Sequence, residues 1–134
     1  MSLRSTLAAT LALCLLSRGA LTQVPTTAAT PIGVWRGTSQ CLVHPSPCND
    51  EIVVYHIARV GAGDRFSLDA RKIVNGREEE MGILGCRLNP SNAQLRCIMP
   101  NGIWRFTACG DSLMGELRLP DSTKYRDVRM ARPR

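Results

Sequence analysis

The sequence has few aromatic and few histidine side chains. Its 134 residues include two Trp, two Tyr, two Phe and two His. So few aromatic rings cannot form the stacking platform that binds single-stranded nucleic acid. Basic residues alternate with acidic ones along the chain, which is typical of a solvated surface and not of a nucleic-acid patch. We therefore expect no nucleic-acid partner.

Catalytic motifs are also missing. The histidines are His44 and His56, and no nucleophile-elbow motif accompanies them. The consecutive carboxylates Glu78, Glu79 and Glu80 alternate between the faces of a strand, so they cannot converge on one proton or metal ion. We expect these three to lie on a solvated hairpin. The sequence thus predicts a protein that is not an enzyme and has no catalytic residues and no cofactor.

The N-terminal apolar run, residues 7–16, is too short to cross a bilayer. Arg4 precedes it, and the small residues Ser17, Gly19 and Ala20 follow it, which is the pattern of a secretory signal peptide. We assign the signal to residues 1–22 and expect no membrane span after its removal. The predicted location is therefore periplasmic or extracellular.

Residues 23–31 are rich in Thr, Ala and Pro. Such a composition buries too little apolar area to offset the conformational entropy of ordering it, so we expect a flexible tether. Removal of Arg4 and Arg18 with the signal lowers the formal net charge from +6 to about +4, which slightly favours acidic partners.

Residues 32–132 are enough for one domain with one modest core. Short alternating runs of apolar and polar residues recur between turn signals, which predicts strands. We predict eight strands, at 33–43, 50–60, 65–74, 78–88, 94–99, 103–109, 112–119 and 123–131. Asn75-Gly76 and Asn101-Gly102 are expected to supply the positive φ of tight hairpins.

The connections between these strands are short, so consecutive strands should pair as antiparallel neighbours. An eight-stranded up-and-down meander closes most readily into a barrel, since closure removes both exposed sheet edges. The fold class is therefore all-β, a single antiparallel barrel without a C-terminal helix. An open sandwich is the alternative.

Alternation along the strands predicts which side chains face inward. These are Phe66, Leu68, Ala70, Leu84, Cys86, Leu88, Leu95, Cys97, Met99, Trp104, Phe106, Ala108, Leu113, Gly115, Leu117 and Leu119. The second strand is apolar on both faces, so its register stays open. The inward set there is either Ile52, Val54, His56 and Ala58 or Val53, Tyr55 and Ile57.

The first strand begins with Gly33, Val34, Trp35 and, two residues later, Gly37. Gly33 lets the chain enter the strand tightly, and Gly37 leaves room for the indole or for a neighbouring strand. Trp35 itself buries a large ring. We expect this ring to plug the barrel and not to stack on a ligand.

The Gly33-Val34-Trp35 motif, followed by up-and-down strands, resembles the calycin superfamily of lipocalin-like and avidin-like barrels. The resemblance implies that Trp35 crosses the closed end of the barrel and that an Arg of the last strand, Arg126 or Arg129, packs over its ring. The run DEIVVYHI…KIVNGREEEMG…C…LRC…PNGIWRF is similar to a group of small exported bacterial proteins of unknown function. That likeness implies export and a barrel.

Two cysteines flank a loop at the end of the first strand. A bridge between Cys41 and Cys48 is expected to stabilise the fold by about 2–3 kcal/mol. The alternative is a metal site formed by these two thiols and His44. Thiols outside the cytoplasm tend to oxidise, so we favour the disulfide and expect no metal.

A second cysteine pair is expected across a hairpin. If Leu88 faces Leu95, then Cys86 faces Cys97 on the inward side, where a cross-strand bridge can form. A bridge between Cys97 and Cys109 stays open, because spacing alone does not fix connectivity. In the favoured arrangement Cys109 lies outside both bridges, and we expect it to be buried and inert.

The leading functional hypothesis is a monomeric, non-catalytic barrel that binds a small or apolar ligand at its open end. The residues predicted to contact that ligand are Phe66, Leu84, Leu95, Trp104, Phe106 and Leu117. The hypothesis requires an interior cavity of roughly 300 Å³ or more, whereas a short barrel can fill itself with side chains. The alternative is a protein-binding barrel, such as an inhibitor of an envelope hydrolase, that uses the tether and the 41–48 loop as contact elements.

Overall fold

A computed structural model describes residues 29–134, and these form an all-β fold. Its strands are β1 (Gly33–Cys41), β2 (Glu51–Arg59), β3 (Arg65–Val74), β4 (Arg77–Asn89), β5 (Gln94–Met99), β6 (Gly102–Cys109), β7 (Ser112–Arg118) and β8 (Lys124–Ala131). The predicted signal peptide and residues 23–28 of the predicted tether lie outside the described residues. No helix within residues 29–134 has the length and apolar character needed to span a membrane.

Each strand pairs antiparallel with the next, and β8 pairs with β1 to close the barrel. The eight predicted strands agree with the observed ones to within two residues. The largest difference is at β1, which ends at Cys41, where the backbone N–H donates to a carboxylate oxygen of Asp50 at 2.7 Å and the loop begins. The predicted barrel is confirmed, and the open sandwich is wrong.

Closure of the barrel depends on Gly37. This residue is paired with Met130 across the β1–β8 junction. A Cβ built at Gly37 would meet the carbonyl oxygen of Arg129 and the Cα of Met130, so only glycine lets the two backbones approach this closely.

The inward residues form one core. Of the two registers left open for β2, the structure has Val53, Tyr55 and Ile57 facing inward, with Val54 also buried on the outer side. The predicted inward residues of β3 to β6 all belong to the core or pack against it. Leu119 does not, because the register shifts at Leu117 and β7 ends before position 119, so alternation no longer applies.

The two Asn-Gly pairs behave differently. Asn75 and Gly76 have φ values of 51° and 77°, as a tight hairpin requires. Asn101 and Gly102 do not have positive φ, so that part of the prediction is wrong. Gly102 instead begins β6, where a Cβ would lie 2.7 Å from the carbonyl oxygen of Arg118. Its role is close strand packing.

Candidate functional site

Trp35 lies in the end of the barrel where β1 begins, which we call the closed end. Its side chain is fully buried. The indole Nε1 donates a 2.8 Å hydrogen bond to the carbonyl of Pro31, in the segment that precedes β1. The indole therefore has its single polar group satisfied and acts as a packed plug.

The arginine over this ring is Arg132, with its guanidinium 4.1 Å from the ring centre. Arg129, the predicted closure residue, is 74% exposed and pairs with Asp127 at 3.2 Å. Alternation explains the correction, since Val128 and Met130 point inward and Arg129 must point outward. Arg132 follows the last strand and is free to fold back over the end.

Arg132 also ties down the entering chain. Its Nη1 donates to the carbonyl of Ile32 and its Nη2 to the carbonyl of Thr30, both at 2.9 Å. A Cβ at Gly33, which has a φ of 126°, would collide with the Arg132 side chain. The last residues of the predicted tether therefore contact the barrel.

The middle of the barrel is filled by aromatic and aliphatic side chains. The Trp104 ring stacks on Phe106 at 5.4 Å, and Tyr55 meets Phe106 edge-on at 5.8 Å. Gly115 leaves the space that the Phe106 ring occupies, because a Cβ there would overlap the ring. This packed layer separates Trp35 from the opposite, open end.

Above this layer the interior contains a cavity of about 320 Å³, which we call the lumen cavity. Its walls are mainly apolar, and its rim carries hydroxyl, carboxylate and guanidinium groups. The lining residues are Ser39, Glu51, Tyr55, Leu68, Ala70, Met81, Gly82, Leu84, Met99, Trp104, Phe106, Leu117 and Arg126. The volume exceeds the roughly 300 Å³ that a ligand site requires.

Arg126 is the cation of this rim. Like Val128 and Met130, it points into the barrel, because it lies an even number of residues from them along β8. It lies at the open end, however, and so it cannot reach Trp35 at the closed end. Its Nη1 donates to the hydroxyl of Ser39 at 3.1 Å and to the carbonyl of Asn49 at 3.0 Å. Within residues 29–134, its Nε and Nη2 have no hydrogen-bond partner.

Glu51 and Tyr55 complete the polar rim. A carboxylate oxygen of Glu51 lies 3.8 Å from Nη1 of Arg126. Tyr55 is only 3% exposed, and its hydroxyl forms no hydrogen bond with any residue from 29 to 134. Burial raises the pKa of the Tyr55 hydroxyl well above its usual range; Arg126 opposes this rise and Glu51 adds to it. Tyr55 is therefore a neutral donor at ordinary pH.

The loop between β1 and β2 supports this rim. Cys41 and Cys48 form a disulfide that closes the loop, as predicted. Both sulfurs are used in the bond, so the metal site with His44 does not form; the His44 Nε2 instead donates to the carbonyl of Cys41 at 3.1 Å. Since Asn49 follows directly, the bridge helps to hold the carbonyl that fixes Arg126.

The other cysteines lie in the barrel wall. Cys86 and Cys97 are directly opposite each other on β4 and β5 and form the second predicted disulfide, facing inward. Cys109 is exposed, which contradicts the expectation of a buried residue. It follows the inward-facing Ala108, so alternation places it on the outer face.

Neither histidine lines the lumen cavity. The Nε2 of His56 lies 3.6 Å from the carboxylate of Glu78 on the outer wall. Glu78 also lies 3.5 Å from Arg71. Glu79 and Glu80 are exposed on the same hairpin, as expected for a solvated charge run. Within residues 29–134, no three His, Cys, Asp or Glu side chains form a group that could hold a metal ion.

Four of the six residues predicted to contact a ligand line the lumen cavity: Leu84, Trp104, Phe106 and Leu117. Leu95 is fully buried and Phe66 nearly so, and neither lines it. Sequence reasoning missed the polar rim. Tyr55 gave no distinct signal because β2 is apolar on both faces. The only sign that Arg126 faces the lumen is that it alternates in step with Val128 and Met130 along β8.

The sequence and the structure were compared with known proteins, and no relative was found. No family model matches the chain, no curated protein matches it, and no solved structure matches it.

Proposed function

We propose that this protein is an exported, non-catalytic barrel that binds a small, mainly apolar molecule with one polar end in its lumen. The observation that carries the proposal is the lumen cavity itself. Its apolar walls lead to a rim where Tyr55 and Arg126 present donors without hydrogen-bond partners among residues 29–134. These donors face the cavity, and a ligand acceptor atom placed there would form hydrogen bonds with them.

The size of the cavity limits the ligand. Ligand pockets commonly range from about 300 to 1,000 Å³, so a cavity of about 320 Å³ favours a compact molecule or a short chain. The Trp104 and Phe106 rings at its base and the aliphatic walls suit a ligand with an apolar body.

The rim selects the polar end. Tyr55 and the Nε and Nη2 groups of Arg126 are all donors, so the ligand should end in an acceptor. Arg126 favours an anionic acceptor such as a carboxylate, while Glu51 beside it disfavours a second negative charge. An ammonium group would lie against the guanidinium of Arg126, which has a charge of the same sign, and is the least favourable end.

Export rests on the disulfides and the N-terminal sequence. Two disulfides fit an oxidising environment. The inhibitor alternative, which depends on the tether and the 41–48 loop, stays a prediction.

The test uses octanoate, octanol and octylamine, which share one apolar chain and differ in the polar end. Titration calorimetry measures affinity, and fluorescence of wild-type protein and Trp104→Phe reports whether binding reaches the cavity. We expect octanoate to bind best and octylamine worst, with a fluorescence change that disappears in Trp104→Phe.

Two matched variants locate the site. Ala70→Leu fills the lumen cavity and should weaken octanoate binding by about tenfold or more. Ala58→Leu adds the same atoms on the exposed outer side of β2 and should leave the affinity unchanged. Equal affinities in both variants would contradict the proposal. So would the absence of octyl binding together with a ligand-free mass of the native protein purified from its host.

A further inference from the structure

Four arginines lie in one line across the outer wall of the barrel. Arg65 is directly opposite Arg87, Arg87 is opposite Arg96, and Arg96 is opposite Arg105. Each alternates with inward core residues, so all four side chains point outward. We call this set the arginine row. It crosses β3, β4, β5 and β6 at right angles to the strands, with one cation for each strand.

The arginine row is only partly neutralised within residues 29–134. Arg87 pairs with Asp64 at 3.1 Å. Glu116 is opposite Arg105, but its carboxylate is bonded by Arg118 at 2.7 Å. Arg65 and Arg96 have no ion pair with any residue from 29 to 134. Like charges directly opposite each other on a sheet destabilise it. The row therefore has a cost to the fold that an anionic partner would remove.

An apolar groove of about 400 Å³ lies beside the row. Its outer walls include Val60, Ile83 and Ile98, of which the last two are 65% and 64% exposed. Between them Gly85 leaves the floor open, since a Cβ there would have no heavy atom within 4 Å. Arg65, Arg87 and Arg96 line the same groove, which we call the outer groove.

We propose that the outer groove binds an acidic segment of a partner protein, with one apolar side chain seated over Gly85 and carboxylates on the arginine row. A concave groove with isoleucine walls suits an inserted side chain better than it suits a flat lipid surface. A polysaccharide or a nucleic-acid backbone offers no apolar side chain to pack against these walls. The outer groove shares only Leu84 with the lining of the lumen cavity, so we expect the two sites to bind independently.

The spacing of the row indicates the shape of the segment. Neighbouring strands lie about 4.7–4.9 Å apart, which sets the interval between successive arginines. Carboxylates three or four residues apart on a helix lie about 5–6 Å from each other. A helix laid across the strands can therefore match the row while a leucine on the adjoining helix face enters the groove.

The experiment uses a synthetic helical peptide with glutamates at every fourth position and one leucine beside them. Two matched peptides replace either the glutamates by glutamine or the leucine by serine. Calorimetry with the full-length protein should show binding of the first peptide. Each replacement should weaken it by about tenfold, and added salt should weaken it further. Failure of the first peptide to bind at millimolar concentration would overturn the proposal.

Variants of the barrel separate the two parts of the surface. Arg96→Glu reverses the charge at the centre of the row, and Gly85→Leu places a side chain in the groove at a position where a Cβ meets no heavy atom within 4 Å. Both should weaken the acidic peptide by about tenfold. The control is Arg36→Glu, which reverses an exposed arginine on β1, on the far side of the barrel. Octanoate binding should be unchanged in all three, so that failure of this surface and failure of the lumen site remain distinguishable.

Two other results of these binding experiments would indicate a different ligand for the outer groove. Anionic vesicles that bind as well as the peptide, with no loss in Gly85→Leu, would overturn the proposal in favour of a membrane surface. Polyphosphate that binds equally well to Arg96→Glu and Arg36→Glu would show general attraction to a basic protein, which also overturns it.

Discussion

The guanidinium of Arg132 lies 4.1 Å from the ring centre of Trp35 and is hydrogen-bonded to the carbonyls of Thr30 and Ile32. A single side chain therefore covers the indole and fixes the chain that enters the barrel. We expect Arg132→Met to lower the free energy of unfolding by about 1–3 kcal/mol, from the lost cation–π contact and two hydrogen bonds.

The matched control for this prediction is Arg129→Met. That side chain is exposed, so its replacement should change stability by no more than about 0.5 kcal/mol. Urea unfolding measures both variants. Equal losses of unfolding free energy in the two variants would show that the contacts of Arg132 do not stabilise the closed end.

Barrel closure should be sensitive to one added methyl group. Gly37→Ala places a Cβ against the backbone of Arg129 and Met130, so β1 and β8 must separate. We expect a loss of about 2–3 kcal/mol, typical of overpacking. Gly85→Ala makes the same change in β4 where the space is open, and should alter stability by less than about 0.5 kcal/mol. Thermal unfolding of the two variants decides the point.

Stability should fall at alkaline pH because of Tyr55. Burial raises the pKa of its hydroxyl in the folded state, whereas the unfolded chain loses this proton near pH 10. Above that pH the folded state binds more protons than the unfolded state, so the free energy of unfolding decreases as pH rises. Urea unfolding between pH 8 and pH 11 should show this decrease in wild type and a smaller one in Tyr55→Phe. Identical pH profiles would contradict the assignment.

The arginine row should reduce the stability of the isolated protein. Arg96→Glu replaces two like-charge pairs, with Arg87 and Arg105, by two opposite-charge pairs. We expect the variant to be more stable by about 0.5–1 kcal/mol at low salt. Arg36→Glu lies opposite Val54 and Ala131 and should show no such gain. A loss of stability in Arg96→Glu would mean that the row is not repulsive.

Much of the barrel could be predicted from period-two alternation. Trp104 and Phe106 were placed inward by this rule, and the opposition of Leu88 and Leu95 predicted the Cys86–Cys97 bridge. The rule works because each strand has a core on one side only. It failed for β2, where both sides are apolar and the polar rim residue Tyr55 gave no distinct signal.

Other features lie outside any periodic rule. Arg132 follows the last strand, so its position over Trp35 depends on how the chain turns and not on parity. Leu119 follows a register shift, which breaks the alternation before it. The lumen cavity depends on how the side chains of eight strands fill a shared volume, and no single segment of sequence encodes that volume.

The hydrogen bond between Arg132 and Thr30 brings the entry and the exit of the barrel chain together at one pole, while the Asn75-Gly76 hairpin lies at the opposite pole. The fold is therefore suited to circular permutation. A short linker can join these two points, and new termini can be opened at the hairpin without breaking any strand pair along the wall. For the same reason, protein attached to a solid support through residue 134 would present the lumen opening to solution.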